Sequence, residues 1–235
     1  MSPHGLYGIQ SAVHPIPRVV TMARYYPVFL DLEDKPCVVI GGGRIAARKI
    51  EGLLACGASV TVIAPHVEDR VEALARTGTI VLEKRSFHPG DTRDASLVCA
   101  ATDDPGTNRA VAEDAARNGV LHNVVDAPEW CSFLAPATVR RGDLCLAIST
   151  GGRSPALARK LREELEEMYG EEYGEWVELL GEIRATVQER FSEDPEQRRA
   201  IFHQLVHSDL LVLLRAGERE KARRRVEACL SSALG

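Results

Sequence analysis

No apolar run in this 235-residue chain approaches the roughly 20 residues that a membrane-spanning helix needs. Residues 1–24 hold no apolar stretch of the kind that directs secretion. They carry Pro3, Pro15 and Pro17 without periodicity, which predicts a flexible tail, with Met22 as an alternative start. No C-x-x-C pair occurs among Cys37, Cys56, Cys99, Cys131, Cys145 and Cys229, and no metal-ligand set is evident. Three of these lie in apolar runs, as expected of reduced, buried residues in a cytoplasmic protein. Basic excess is absent too. A net charge of -5 leaves no electrostatic footprint for nucleic acid. What remains, 45% hydrophobic and 27% charged, is the profile of a soluble globular protein.

The most informative stretch is Val38-Val39-Ile40-Gly41-Gly42-Gly43-Arg44-Ile45-Ala46. A short apolar run feeds a glycine turn and then a helical pattern. A strand–turn–helix of this kind holds a pyrophosphate, because glycines let the backbone approach and the helix N–H groups face the anion. Strands are expected at Lys35–Ile40, Ser59–Ile63, Ile80–Leu82, Leu97–Ala101 and Leu121–Val125. Helices are expected at Arg44–Cys56, Val67–Arg76 and Asn108–Arg117. Alternating short apolar strands and helices predict a Rossmann-type α/β domain, a doubly wound parallel sheet over residues 25–127. The pattern then changes. Phe133–Val139 and Leu144–Ile148 read as a hairpin joined by Arg140-Arg141-Gly142-Asp143, within a segment 128–160. A helix opens at Ser154-Pro155, and residues 161–235 read as an all-helical module.

Gly41-x-Gly43-x-x-Ala46 fits the dinucleotide fingerprint in its expected context. The acid that holds the ribose hydroxyls should end the second strand. Ile63-Ala64-Pro65-His66 stands there instead, so the choice between NAD and NADP stays open at this position. Thr102 and Asp103, in Ala101-Thr102-Asp103-Asp104, suit either the nicotinamide ribose or a cap for the next helix. Asp126 ends the fifth strand beside Asn123, as a general base, a substrate anchor or a turn residue. Ser149-Thr150-Gly151-Gly152-Arg153-Ser154-Pro155 is a second anion-friendly loop, or an ordinary cap. Arg140, Arg141, Arg159 and Lys160 lie close to it in sequence. His203 and His207 are one helical turn apart without a third ligand, so they read as structural.

Five segments in this order resemble one family. They are Tyr26-Pro27-Val28-Phe29, the run from Val39 to Lys49, Ala101–Asp104, Asn123–Pro128 and Ser149–Arg159. The chain is similar to precorrin-2 dehydrogenase, the dehydrogenase/ferrochelatase module of siroheme synthases. The family's uroporphyrinogen methyltransferase domain is expected to be absent. The resemblance implies NAD-dependent oxidation of precorrin-2 to sirohydrochlorin, with Fe²⁺ insertion in many members, and a homodimer built by the hairpin segment. It implies Asp126 as the essential carboxylate. Gly41, Gly43, Arg44, Ile45, Pro65, His66, Thr102 and Asp103 fall on the NAD side. Asn123, Thr150, Gly151, Gly152, Arg153 and Arg159 fall on the tetrapyrrole side. Thr150 stands where some members have serine. A dehydrogenase working beside a separate chelatase and a non-catalytic NAD-sensing module are the competing readings.

Overall fold

The computed structural model describes residues 25–232. The expected tail and Met22 lie outside the described residues, as do residues 233–235. Five parallel strands make one sheet: β1 (Pro36–Ile40), β2 (Ser59–Ile63), β3 (Val81–Glu83), β4 (Leu97–Ala100) and β5 (Leu121–Val124). Their order is β3-β2-β1-β4-β5. Ile40 lies between Ile63 and Ala100, and Ala100 lies beside Val124, so these strands end on a common edge. The chain winds outward in opposite directions from β1 and β4. That junction is the switch point at which open α/β sheets hold ligands.

Both faces of the sheet are covered, which is why the strands read as continuous apolar runs. On one face Cys37, Val39, Val60, Val62 and Cys99 meet Ala46, Ala47 and Ile50 of α1 (Arg44–Leu54) and Val71 of α2 (Asp69–Arg76). On the other, Val38, Ile40, Val98 and Ala100 meet Val111, Ala112 and Ala115 of α3 (Pro105–Arg117). Ile50 is fully buried, so trimming it to alanine would cost about 2–5 kcal/mol.

The crossover from β3 to β4 is a loop held by charge. Arg85 donates to both Asp91 oxygens at 2.7 and 2.9 Å. Asp114 of α3 accepts from Thr92 Oγ1 at 2.6 Å and from the Gly90 N–H at 3.0 Å.

Beyond β5, β6 (Ala137–Arg141) and β7 (Leu144–Ile148) form the expected hairpin with a tighter turn. Arg141 pairs with Leu144, which leaves Gly142-Asp143 as a two-residue connection. Gly142, at φ +53, takes the first corner, where such turns need glycine. Phe133 is not in the strand. Its carbonyl accepts from Asn123 Nδ2 at 3.1 Å, and its ring packs on the sheet core.

α4 (Pro155–Met168) runs unbroken through residue 160. Both α4 and α5 (Glu172–Arg190) pack on the hairpin. At Gly174 a Cβ would lie 2.8 Å from the Arg141 carbonyl oxygen, so that contact is made backbone to backbone. With α6 (Pro195–Val206), α7 (Leu210–Arg215) and α8 (Arg219–Ser232), α5 encloses a second core around Val187, Ile201, Leu205 and Leu210. The hydrophobic pattern of residues 195–215 carries no break between α6 and α7. Ser208 makes the break: its hydroxyl donates to Leu205 O at 2.7 Å and accepts from the Leu210 N–H at 3.3 Å.

Burial pushes the Asp114 carboxyl up. Hydrogen bonds from Thr92, Gly90 and Arg117 outweigh it and hold the group below the usual carboxylate range. Folding therefore favours ionised Asp114. The stability this contributes is complete above about pH 4 and is lost as pH falls through the lowered value. Asp114→Ala should cost about 1–3 kcal/mol at pH 7 and flatten the acid limb of stability. Calorimetric melting from pH 7 to 2 checks this. An unchanged melting temperature at pH 7 would mean the crossover does not depend on this anchor.

Candidate nucleotide and substrate site

The glycine turn links β1 to α1 under tight constraint. Gly41 has φ +119, and a Cβ there would lie 2.3 Å from the Ala101 carbonyl oxygen. Gly42 is equally confined, with a Cβ position 2.3 Å from the His66 carbonyl oxygen. The fingerprint leaves that position unspecified, so only the run of three glycines signals it. The Glu68 N–H donates to Gly42 O at 2.9 Å, which clamps the loop after β2 onto the turn and delays α2 to Asp69. Gly43 differs. Nothing stands within 4 Å of its Cβ position, and as N-cap of α1 it offers no side-chain cap. The first turn of α1 holds no acid. The helix's positive end and its first N–H groups therefore meet open space at Gly43, which fits a pyrophosphate. Arg44 and Ile45 are exposed beside it.

Pro65 and His66 are exposed at the end of β2, where no acid stands. At the end of β4, Thr102 is tied to α3: its hydroxyl donates to Asn108 Oδ1 at 2.8 Å, and its carbonyl accepts from Asn108 Nδ2 at 2.9 Å. Asp104 caps α3, accepting from Thr107 N at 2.8 Å and Gly106 N at 3.2 Å. This cap starts α3 at Pro105, three residues before the expected Asn108. Asp103 stays exposed on the edge.

Asp126 is exposed just past the end of β5 and sits in the left-handed region at φ +58. A non-glycine residue there carries strain of about 1–3 kcal/mol, and such strain clusters at functional sites. The loop closes behind it, with the Ser132 N–H donating to His122 O at 2.9 Å. Asn123 is not brought to this surface. It is 7% exposed; its Oδ1 accepts from Lys49 Nζ at 3.1 Å, and its Nδ2 donates to Phe133 O. Sequence reasoning missed Lys49 and Cys131. The available signal was a lysine on the buried stripe of α1, between Ala46 and Leu53.

The second glycine loop is largely self-satisfied. Thr150 Oγ1 accepts from the Ser154 N–H and donates to its carbonyl, both at 3.1 Å. The Gly151 N–H donates to Ser149 Oγ at 3.1 Å, and Ser154 caps α4 through the Leu157 N–H. The expected cations divide. Arg141 is turned back onto α4, donating to Tyr169 O at 2.8 Å and Glu166 O at 3.0 Å. Arg159 and Lys160 pair with Glu163 and Glu164 one turn along their helix. Exposed pairs of that kind are worth about 0–1 kcal/mol, so an anionic ligand can draw them away. Arg140 and Arg153 make no ion pair among the described residues. His203 and His207 stack at 4.1 Å, with His207 Nδ1 2.8 Å from the His203 carbonyl, a local contact. Burial, with Cys99 and Cys56 nearby, pushes the Cys37 thiol up to about 11, which leaves it inert.

Three family models tile the chain. An NAD(P)-binding domain matches residues 28–137, the central domain of sirohaem biosynthesis proteins matches 141–168, and the sirohaem synthase dimerisation region matches 172–230. The chain is thus similar to the sirohaem synthases across all three of these segments. It is 39% identical to the siroheme synthase of Methylobacillus flagellatus over 205 residues, which is 87% of this chain and 44% of that protein. It is 40% identical to the siroheme synthase of Methylococcus capsulatus over 200 residues, 85% of this chain and 42% of that one. The chain thus spans less than half the length of these relatives. The solved structure of SirC, precorrin-2 dehydrogenase, matches with a TM-score of 0.73 at 27% identity, covering 87% of this chain and 100% of that one.

The glycines separate by role. Gly42→Ala should overpack the turn and lower stability by about 1–3 kcal/mol. Gly43→Ala should cost about 1 kcal/mol or less through the cap, yet weaken NAD binding roughly tenfold or more by setting a methyl group in that open space. Thermal melting and isothermal titration with NAD check the pair. Unimpaired NAD binding by Gly43→Ala would move the cofactor away from this turn.

Proposed function

We propose that this chain oxidises precorrin-2 to sirohydrochlorin in siroheme biosynthesis, with NAD as the electron acceptor. The observation that carries the reading is the common carboxyl edge of the sheet. It presents both the open cradle at Gly43 and a strained, exposed carboxylate at Asp126. The family match and the likeness to SirC support it.

Gly41 and Gly43 let the backbone approach the pyrophosphate, and Arg44 and Ile45 border it. Pro65 and His66 take the adenosine ribose in place of the missing acid. Thr102 and Asp103 line the nicotinamide side. Bound NAD supplies a hydride acceptor. The oxidation removes one hydride and one proton from precorrin-2, and Asp126 takes the proton. Arg153 and Arg159 receive the carboxylates of the polyanionic tetrapyrrole on the loop that Thr150, Gly151 and Gly152 shape, with Asn123 supporting the Asp126 loop from beneath. Fe²⁺ insertion belongs to the same proposal: the ion is substrate, and Asp126 accepts the pyrrole N–H protons.

A homodimer is the second part of the reading. The two-stranded sheet β6–β7 packs on α4 and α5, yet no residue of β7 is buried. Leu157, Leu161 and Met168 leave an apolar stripe of α4 exposed beside it. The match to a dimerisation region over 172–230 supports closure by a second copy. Among the described residues no helix is long and apolar enough to cross a membrane. The free thiols of Cys37, Cys56, Cys99, Cys131 and Cys145 suit the reducing cytoplasm.

Asp126→Ala should lose precorrin-2 oxidation by about 10²-fold or more while still binding NAD. The rise in NADH absorbance measures oxidation, and a parallel assay follows Fe²⁺ insertion into sirohydrochlorin. Near-normal turnover would remove Asp126 as the base; absence of any NADH signal from the unmodified protein would favour the NAD-sensing reading. Light scattering at micromolar concentration should report a dimer, and a monomer would exclude that assembly.

A further inference from the structure

We propose that Lys49, Asn123 and Cys131 are positioning residues that brace the Asp126 corner against helix α1. The inference rests on the reading of Asp126 as the base. Lys49 lies on α1, the helix whose N-terminus forms the Gly43 cradle. Its ammonium reaches across β4 to β5 and donates to Asn123 Oδ1 at 3.1 Å. Asn123 then donates to Phe133 O at 3.1 Å and to Cys131 Sγ at 3.5 Å. The Cys131 sulfur accepts from the Val124 N–H at 3.2 Å, and its thiol proton has two acceptors, Val124 O and Ala127 O, each at 3.3 Å. Those two carbonyls flank Asp126 on either side of its left-handed corner.

The chemistry of the thiol matches the task. Burial holds Cys131 above its ordinary value, against the opposing pull of the Val124 amide and the Lys49 ammonium. It therefore stays protonated and able to donate. The result is one continuous chain of bonds from the cofactor helix to the carboxylate loop. It fixes the proton acceptor relative to the element that holds the hydride acceptor. None of the three side chains needs to touch substrate, since Asn123 is buried and its amide is engaged on both sides.

The test compares Lys49→Met, Cys131→Ala, Cys131→Ser and Asp126→Ala, with turnover expressed per NAD-binding site. Misplacing a reacting group by about 1 Å can cost ~10²-fold. Lys49→Met and Cys131→Ala should therefore lower kcat by roughly 10- to 100-fold, with the Kd for NAD and the KM for precorrin-2 held within about threefold. Cys131→Ser, which keeps a donor and acceptor, should recover most of the loss. Full kcat in Lys49→Met and Cys131→Ala beside an inactive Asp126→Ala would overturn the brace alone. Equal losses of NAD binding and kcat would also overturn it, by showing a merely structural role. Turnover by Asp126→Ala would overturn the base itself.

Discussion

Two backbone segments close on the glycine turn from opposite sides, and the rest of the site depends on that fit. The Ala101 carbonyl stands where a Cβ of Gly41 would be, and the His66 carbonyl where a Cβ of Gly42 would be. The end of β4 and the loop after β2 are thereby fixed against the start of α1. The same closeness leaves Gly43 as the first residue with open space before it. Sterics inside the turn thus create the electrostatic feature outside it, an uncapped helix N-terminus facing solvent. On the proposed reading, Pro65 and His66, exposed after β2, take the ribose in place of an acid on that strand.

The sheet was legible because its causes are local. Continuous apolar runs mark strands buried on both faces, and glycines with positive φ follow the helices, Gly57 after α1, Gly78 after α2 and Gly119 after α3. What stayed illegible turns on side chains that reach across the chain. Phe133 looks like a strand residue, but its carbonyl belongs to Asn123 and its ring to the sheet core. Ser208 breaks a helical pattern by a hydroxyl that no hydrophobic period reveals. Arg141 looks like a ligand for anions until its guanidinium is seen holding the end of α4. Asn123 sits in the right motif, yet its amide is directed inward to Lys49, a partner 74 residues away.

The two glycine-rich loops are similar as sequences and unlike as electrostatic objects. At Gly43 no side chain caps the helix, and an incoming anion meets N–H groups that lack a capping partner. At residues 149–154, the hydroxyls of Ser149, Thr150 and Ser154 accept N–H donors from within the loop and the helix it starts. On the proposed reading, recognition of carboxylates there falls to side chains. Arg153 has no ion-pair partner among the described residues, and Arg159 has only an exposed one. Glycine count alone therefore does not identify an anion site; the decisive quantity is how many donors the loop leaves unclaimed.

The same reasoning joins two accounts of Asp126 that look like rivals in the sequence. Among residues with side chains, aspartate is one of the few that tolerate the left-handed region, so it is a natural corner residue. Glycine would relax the corner completely but would remove the carboxylate. A carboxylate that must accept a proton has to be exposed and also fixed, and a free surface aspartate meets only the first need. Here the corner supplies exposure, and the bonds made beneath it by Cys131 limit its freedom. Being a turn residue is therefore the condition under which Asp126 can serve as a base.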